Sequence, residues 1–120
     1  MSTIKVAIID DEHEILTMIE RYFSRKEGYK VTTFANPLQA IASKSMFDVI
    51  FLDIMMPQMN GLDVLPKLLE NAPEAKVIMM TAYSTLDKVL KSHRGGATHY
   101  IMKPFSSLNV LEEKIREVLA

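Results

Sequence analysis

Apolar residues along this chain follow two alternating rhythms. Short unbroken runs such as Val6-Ala7-Ile8-Ile9 and Val49-Ile50-Phe51-Leu52 are the pattern of strands covered on both faces. Between the runs, apolar positions recur every three or four residues, the spacing of a helix with one buried face. Ile4 to Asp10 predicts a first strand, which Asp10, Asp11 and Glu12 stop. Ile15, Leu16, Met18, Ile19, Tyr22 and Phe23 predict a helix over roughly Glu12 to Lys26, acidic early and basic late as the helix dipole favours, with Gly28 closing it. Tyr29 to Phe34 alternates more and carries two threonines, which suits an edge strand. Asn36-Pro37 reads as an N-cap and a first-turn proline opening a helix to about Ser43. A third strand ends on Asp53, and Leu62, Leu65, Leu68 and Leu69 mark a helix after Gly61, which Pro66 could kink or shift. Lys76 to Met80 is a fourth strand ending at Thr81. Ser84-x-x-Asp87 is a capping-box-like start for a fourth helix that Gly95-Gly96 ends. Thr98 to Met102 is a fifth strand ending at Lys103-Pro104, and Leu108, Leu111, Ile115, Val118 and Leu119 mark the last helix.

A strand-helix unit repeated five times implies an α/β fold: a parallel sheet with right-handed crossovers and helices on both faces. An eight-unit barrel needs about twice this chain, so the open doubly wound sheet is favoured. At 120 residues the prior is one domain, residues 1–120, and burial of roughly two-thirds of the unfolded surface allows a proper core.

Composition narrows the function by exclusion. The net charge of -1 offers no basic excess for a nucleic-acid or membrane surface, so neither is expected as a direct partner. No apolar run nears the ~20 residues of a membrane span, and no signal peptide is visible. The lack of cysteine excludes disulfide and thiol chemistry and agrees with a cytoplasmic location.

Every strand that reads as central ends in a chemically loaded residue. The first delivers Asp10 and Asp11, the third Asp53 and the fourth Thr81; the fifth, at the far edge, delivers Lys103. In a parallel sheet these ends share one rim, where open α/β sheets place their sites. Three converging carboxylates repel one another unless a cation sits among them. Oxygen ligands favour a hard divalent ion such as Mg²⁺, and without cysteine or a histidine pair at ligand spacing zinc is disfavoured. A lysine and a hydroxyl are the usual means of holding an anionic oxygen. Together they are the equipment of phosphoryl transfer, in which a carboxylate can itself be the nucleophile.

Asp10-Asp11, Asp53, Thr81-Ala82 and Lys103-Pro104-Phe105 together resemble a two-component response-regulator receiver domain. The loop Asp53-Ile-Met-Met-Pro57-Gln-Met-Asn-Gly61 is similar to that family's phosphorylation-site loop. The resemblance spans essentially the whole chain. It implies a flavodoxin-like five-stranded parallel sheet of order 2-1-3-4-5 with five helices on both faces. It further implies that Asp53 attacks the phosphorus of a phosphohistidine on a sensor histidine kinase or histidine phosphotransfer protein. Asp11, Asp53 and the main-chain carbonyl of Met55 would bind Mg²⁺, for which Mn²⁺ or Ca²⁺ could substitute, with Asp10 acting largely through water. Lys103 and Thr81 would hold the phosphoryl oxygens. Tyr100 matches the switch aromatic that turns inward as Thr81 moves, biasing the face of the fourth helix, fifth strand and fifth helix toward a downstream target or a fused output domain outside this chain. The Lys103-Pro104 bond is expected to be cis. The chain would catalyse only its own phosphorylation and dephosphorylation.

Plainer readings stand beside these. Asp11 could cap the first helix, Asp53 could be a loop acid, Thr81 a strand-end residue and Lys103 a solvated charge. The nine methionines read mostly as core filler. His13, His93 and His99 read as ordinary, although His13 lies near enough to the acids to tune them. Ile15 and Met18 could form an apolar docking surface for kinase helices; for Met18 burial against the sheet is the preferred expectation. Met55 and Tyr83, two residues after Asp53 and Thr81, would shade a phosphoryl group from water and lengthen its life. A haloacid-dehalogenase-like phosphatase would want a second acid where Met55 stands. A flavodoxin would want a Ser/Thr/Gly-rich phosphate loop where Asp-Asp-Glu-His-Glu stands. A pseudo-receiver would lack one of the acids or the lysine.

Overall fold

A computed structural model describes residues 3–81 and 96–120. Its elements are β1 Ile4–Ile9, α1 His13–Ser24, β2 Tyr29–Phe34, α2 Pro37–Ser43, β3 Val49–Asp53, α3 Gly61–Asn71, β4 Lys76–Thr81, β5 His99–Met102 and α4 Asn109–Leu119. The helix expected to open at Ser84, together with Tyr83 and His93, lies outside the described residues. The five strands form one parallel sheet of order β2-β1-β3-β4-β5.

The pleat of the strands divides the core in two. Ala7, Ile9, Ile50, Leu52, Val77 and Met79 point to one face, where they meet Ala40 of α2 and Val64, Leu65 and Leu68 of α3. Val6, Ile8, Val49, Phe51, Ile78, Met80 and Ile101 point to the other, against Leu16, Ile19 and Phe23 of α1 and Leu111, Ile115 and Val118 of α4. Because alternate residues are buried on opposite faces, the central strands are apolar throughout and their register is strongly specified.

Local chemistry sets the helix ends. Asn36 accepts from the Leu38 amide with Pro37 in the first turn, as expected. Asn60 does the same for α3, accepting from Leu62 N at 2.8 Å. Pro66 lies inside α3, which nonetheless runs to Asn71. The cap of α1 is Glu12, whose side chain makes no capping bond, so the capping role considered for Asp11 is not the observed one.

Two expectations about apolar residues are corrected. Met18 is 46% exposed, not buried against the sheet, because α1 buries the Leu16-Ile19-Phe23 stripe and Met18 lies outside it. The methionines are not mostly core filler either. Among the described residues Met56, Met79 and Met80 are buried, whereas Met18, Met46 and Met55 are exposed and Met59 and Met102 lie between.

Candidate functional site

Strand register alone begins to assemble the site. Ile9 pairs with Leu52, so Asp10 leaves β1 beside Asp53 at the end of β3. Asp53 pairs with Met80, placing Thr81 one step beyond it, and Thr81 pairs with Met102, placing Lys103 one step beyond that. Three neighbouring strands therefore end on Asp10, Asp53 and Thr81. These are 0%, 5% and 1% exposed, and among the described residues they are the buried polar or charged ones. A carboxylate buried in this way needs a partner or a cation.

Lys103 supplies the first partner. Its Nζ lies 2.5 Å from Asp10 Oδ2, 3.4 Å from Asp53 Oδ2 and 3.5 Å from Glu12 Oε1. Its main-chain amide donates to the Thr81 carbonyl at 2.7 Å, and the Lys103-Pro104 peptide is cis, as expected. Asp10 Oδ1 accepts from the Glu12 amide at 2.9 Å, so both of its oxygens are engaged. Asp53 Oδ1 accepts from the Met55 amide at 3.3 Å, which leaves Oδ2 facing the lysine.

One amine does not balance these acids. One oxygen each from Asp10, Asp11 and Asp53 lies within 4.8 Å of the others, a hard-donor set that suits Mg²⁺. Electrostatics agree. Burial, then the charge of Asp10, push Asp53 up to about 6, against the pull of Lys103 and the Met55 amide. Burial raises Asp10 too. Burial would lower Lys103, but Asp10, Asp53 and Glu12 outweigh it and hold the amine above its ordinary value. Among the described residues the acids at this rim outnumber the one amine, an excess of negative charge that a divalent cation would neutralise.

Of the residues singled out in the sequence, Asp10, Asp11, Asp53, Thr81, Lys103 and the Met55 main chain gather at this rim. Tyr100 does not: it is 41% exposed on β5. His13 is exposed at the start of α1, and His99 bonds locally with Tyr100 and Glu117. Two residues that the sequence marks only as ends of elements have a part in the site. Glu12 reaches Lys103, and its signal was the third consecutive acid after β1. Gly61 donates to the Ile54 carbonyl, and a Cβ there would stand 2.4 Å from the Asp53 carbonyl oxygen. Only glycine allows α3 to begin so close to the end of β3.

A hollow of about 330 Å³ adjoins the rim, lined by Ile15, Met18, Lys103, Pro104, Phe105 and Leu108 among others. No helix among the described residues is long and apolar enough to cross a membrane.

Comparison with known proteins gives a concordant result. The family model described as the response regulator receiver domain matches residues 6–116. The sporulation initiation phosphotransferase F of Bacillus subtilis is 33% identical over 117 residues, covering 96% of this chain and 93% of that one. The alginate biosynthesis transcriptional regulatory protein AlgB of Pseudomonas aeruginosa is 38% identical over 104 residues, covering 85% of this chain. The chain spans only 23% of that relative's length. The structure of a CheY-like response regulator receiver domain protein from Methanospirillum hungatei superposes with a TM-score of 0.89. It is 34% identical, over 98% of this chain and 94% of that one.

Proposed function

The chain belongs to the response regulator receiver domain family, a family of two-component signalling modules, and from that premise we propose that Asp53 is its phosphoryl acceptor. The donor is a phosphohistidine of a sensor histidine kinase or of a histidine phosphotransfer protein. One observation carries the reading: three neighbouring strands end at a single rim on the buried Asp10, Asp53 and Thr81, and there the Lys103 amine meets both carboxylates.

In this mechanism Asp53 Oδ2 attacks the phosphorus, an oxygen–phosphorus bond forms, and the phosphorus–nitrogen bond to the donor imidazole breaks. The Met55 amide holds Oδ1 and so orients the carboxylate. Lys103 moves from Asp10 toward the phosphoryl oxygens, and the Thr81 hydroxyl joins it there. Mg²⁺, or Mn²⁺ or Ca²⁺ in its place, supplies charge neutralisation when bound by Asp11, Asp53 and the Met55 carbonyl. An indirect role for Asp10 is supported by the engagement of both its oxygens with Glu12 and Lys103. Turnover is confined to the chain's own phosphorylation and dephosphorylation.

The added phosphoryl charge draws in Thr81 and Lys103, and Tyr100 follows from its exposed position, altering the face built on β5 and α4. A downstream protein or a fused output domain reads that face; no direct contact with nucleic acid is proposed. The exposure of Met18 supports docking of kinase helices at the apolar hollow beside Lys103.

Incubation with acetyl phosphate, read by intact mass, tests the proposal. We expect a single Mg²⁺-dependent phosphoryl adduct on the wild type and none on Asp53→Asn. An adduct that persists in the variant, or that forms equally in EDTA, overturns it.

A further inference from the structure

Away from the rim, Glu112 in the first turn of α4 gathers contacts from two other elements. Tyr22 Oη of α1 donates to its Oε1 at 3.1 Å, and Tyr29 Oη of β2 donates to its Oε2 at 3.2 Å. Lys26 Nζ, beyond the end of α1, lies 3.1 Å from Oε1 and sits over the Tyr22 ring, 5.0 Å from its centroid. Phe23 packs edge-on against both tyrosine rings. The Glu112 side chain is only 13% exposed. Burial would raise its pKa, but Lys26 and the two hydroxyls hold it below the ordinary carboxylate value. Bonds to a half-buried charge are roughly twice as strong as neutral ones.

The far end of the same helix is held differently. Glu117 reaches His99 Nε2 at 3.7 Å and Lys114 at 3.2 Å, and its side chain is more than half exposed. His99 Nδ1 in turn accepts from the Tyr100 amide at 2.9 Å. Exposed pairs of this kind contribute little. In its polar contacts, then, α4 is tied firmly to α1 and β2 at its start and weakly to β5, beside Tyr100, at its end, while Leu111, Ile115 and Val118 pack against the sheet along its length.

We propose that Glu112 is the fulcrum of the switch: it pins the first turn of α4 to α1 and β2, so that loading Asp53 displaces β5 and the far end of α4 about a fixed point. The proposal rests on the phosphoryl-acceptor reading above. It assigns Glu112 a positioning role that turns motion at Tyr100 into rotation of α4.

Methyl NMR of the full chain, with and without Mg²⁺ and beryllofluoride, tests it. In the wild type, beryllofluoride shifts the methyls of Ile101, Val118 and Leu119 several-fold more than those of Val110 and Leu111. In Glu112→Gln the Val110 and Leu111 shifts rise to match the far end. A paired Tyr22→Phe, Tyr29→Phe variant keeps the rings, loses both hydroxyls and carries the same expectation should Glu112→Gln fold poorly. Equal shifts along α4 in the wild type, or a wild-type pattern in both variants, overturn the fulcrum while leaving the acceptor reading intact. No beryllofluoride response anywhere in the wild type overturns both.

Discussion

Replacing Asp53 by Asn should stabilise the metal-free protein at neutral pH, although it destroys the proposed acceptor. The substitution preserves shape, and its amide oxygen can still accept from the Met55 amide. What it removes is a charge that burial and Asp10 disfavour. Asp53 is raised from 3.8 to about 6, and two units correspond to about 3 kcal/mol. Because the folded pKa lies above the unfolded one, the unfolded chain ionises first as pH rises. Stability therefore falls between about pH 4 and pH 6, and the full penalty persists above that window. Against this, Lys103 loses one carboxylate partner, but Asp10 at 2.5 Å is nearer to it than Asp53 at 3.4 Å. The net gain should be about 1–3 kcal/mol. Urea unfolding in EDTA across that pH range measures it. The variant should be the more stable above about pH 6, the difference shrinking toward zero near pH 4. Mg²⁺ should narrow the gap by stabilising the wild type selectively. A variant less stable than wild type at neutral pH, or a difference that ignores pH, would refute the electrostatic reasoning.

Two further substitutions probe the same rim. Lys103→Met leaves fully buried Asp10 without its cation and should cost about 3–5 kcal/mol in EDTA, with Mg²⁺ restoring more stability than it gives the wild type, as read by the same unfolding curves. Gly61→Ala forces a Cβ to 2.4 Å from the Asp53 carbonyl oxygen and 2.8 Å from Ile54 Cα, both backbone atoms that cannot swing aside. It should destabilise by about 1–3 kcal/mol and slow acetyl-phosphate labelling, because the displaced backbone carries Asp53.

Much of this architecture was legible because each central strand is covered on both faces, so its residues form unbroken apolar runs with abrupt ends. Those ends put Asp10, Asp53, Thr81 and Lys103 in the same structural position before any contact was known, and the register of the sheet brings them together. The strand order came from family resemblance, since a βαβ rhythm does not say on which side of β1 the chain continues. The misplaced residues have physical causes too. In α1 the apolar positions Ile15, Leu16, Met18 and Ile19 crowd more than one face, and the pattern cannot tell which stripe the sheet will take; Met18 was misread for that reason. Gly61 looked like an ordinary helix start because the atoms that exclude a side chain belong to Asp53 and Ile54, across the loop. Glu112 was invisible because its position on an amphipathic helix reads as solvent-facing, whereas its partners Tyr22 and Tyr29 lie 90 and 83 residues earlier.

Chemical trapping of the modified residue tests the central assignment most directly. Borohydride reduces an acyl phosphate to the alcohol, so treating the acetyl-phosphate- and Mg²⁺-labelled chain and sequencing its peptides reports which carboxylate carried phosphorus. The account predicts homoserine at position 53, and at neither 10 nor 11. Conversion of Asp10 or Asp11 instead, or recovery of the phosphoryl group on a hydroxyl or histidine with Asp53 unaltered, would contradict it.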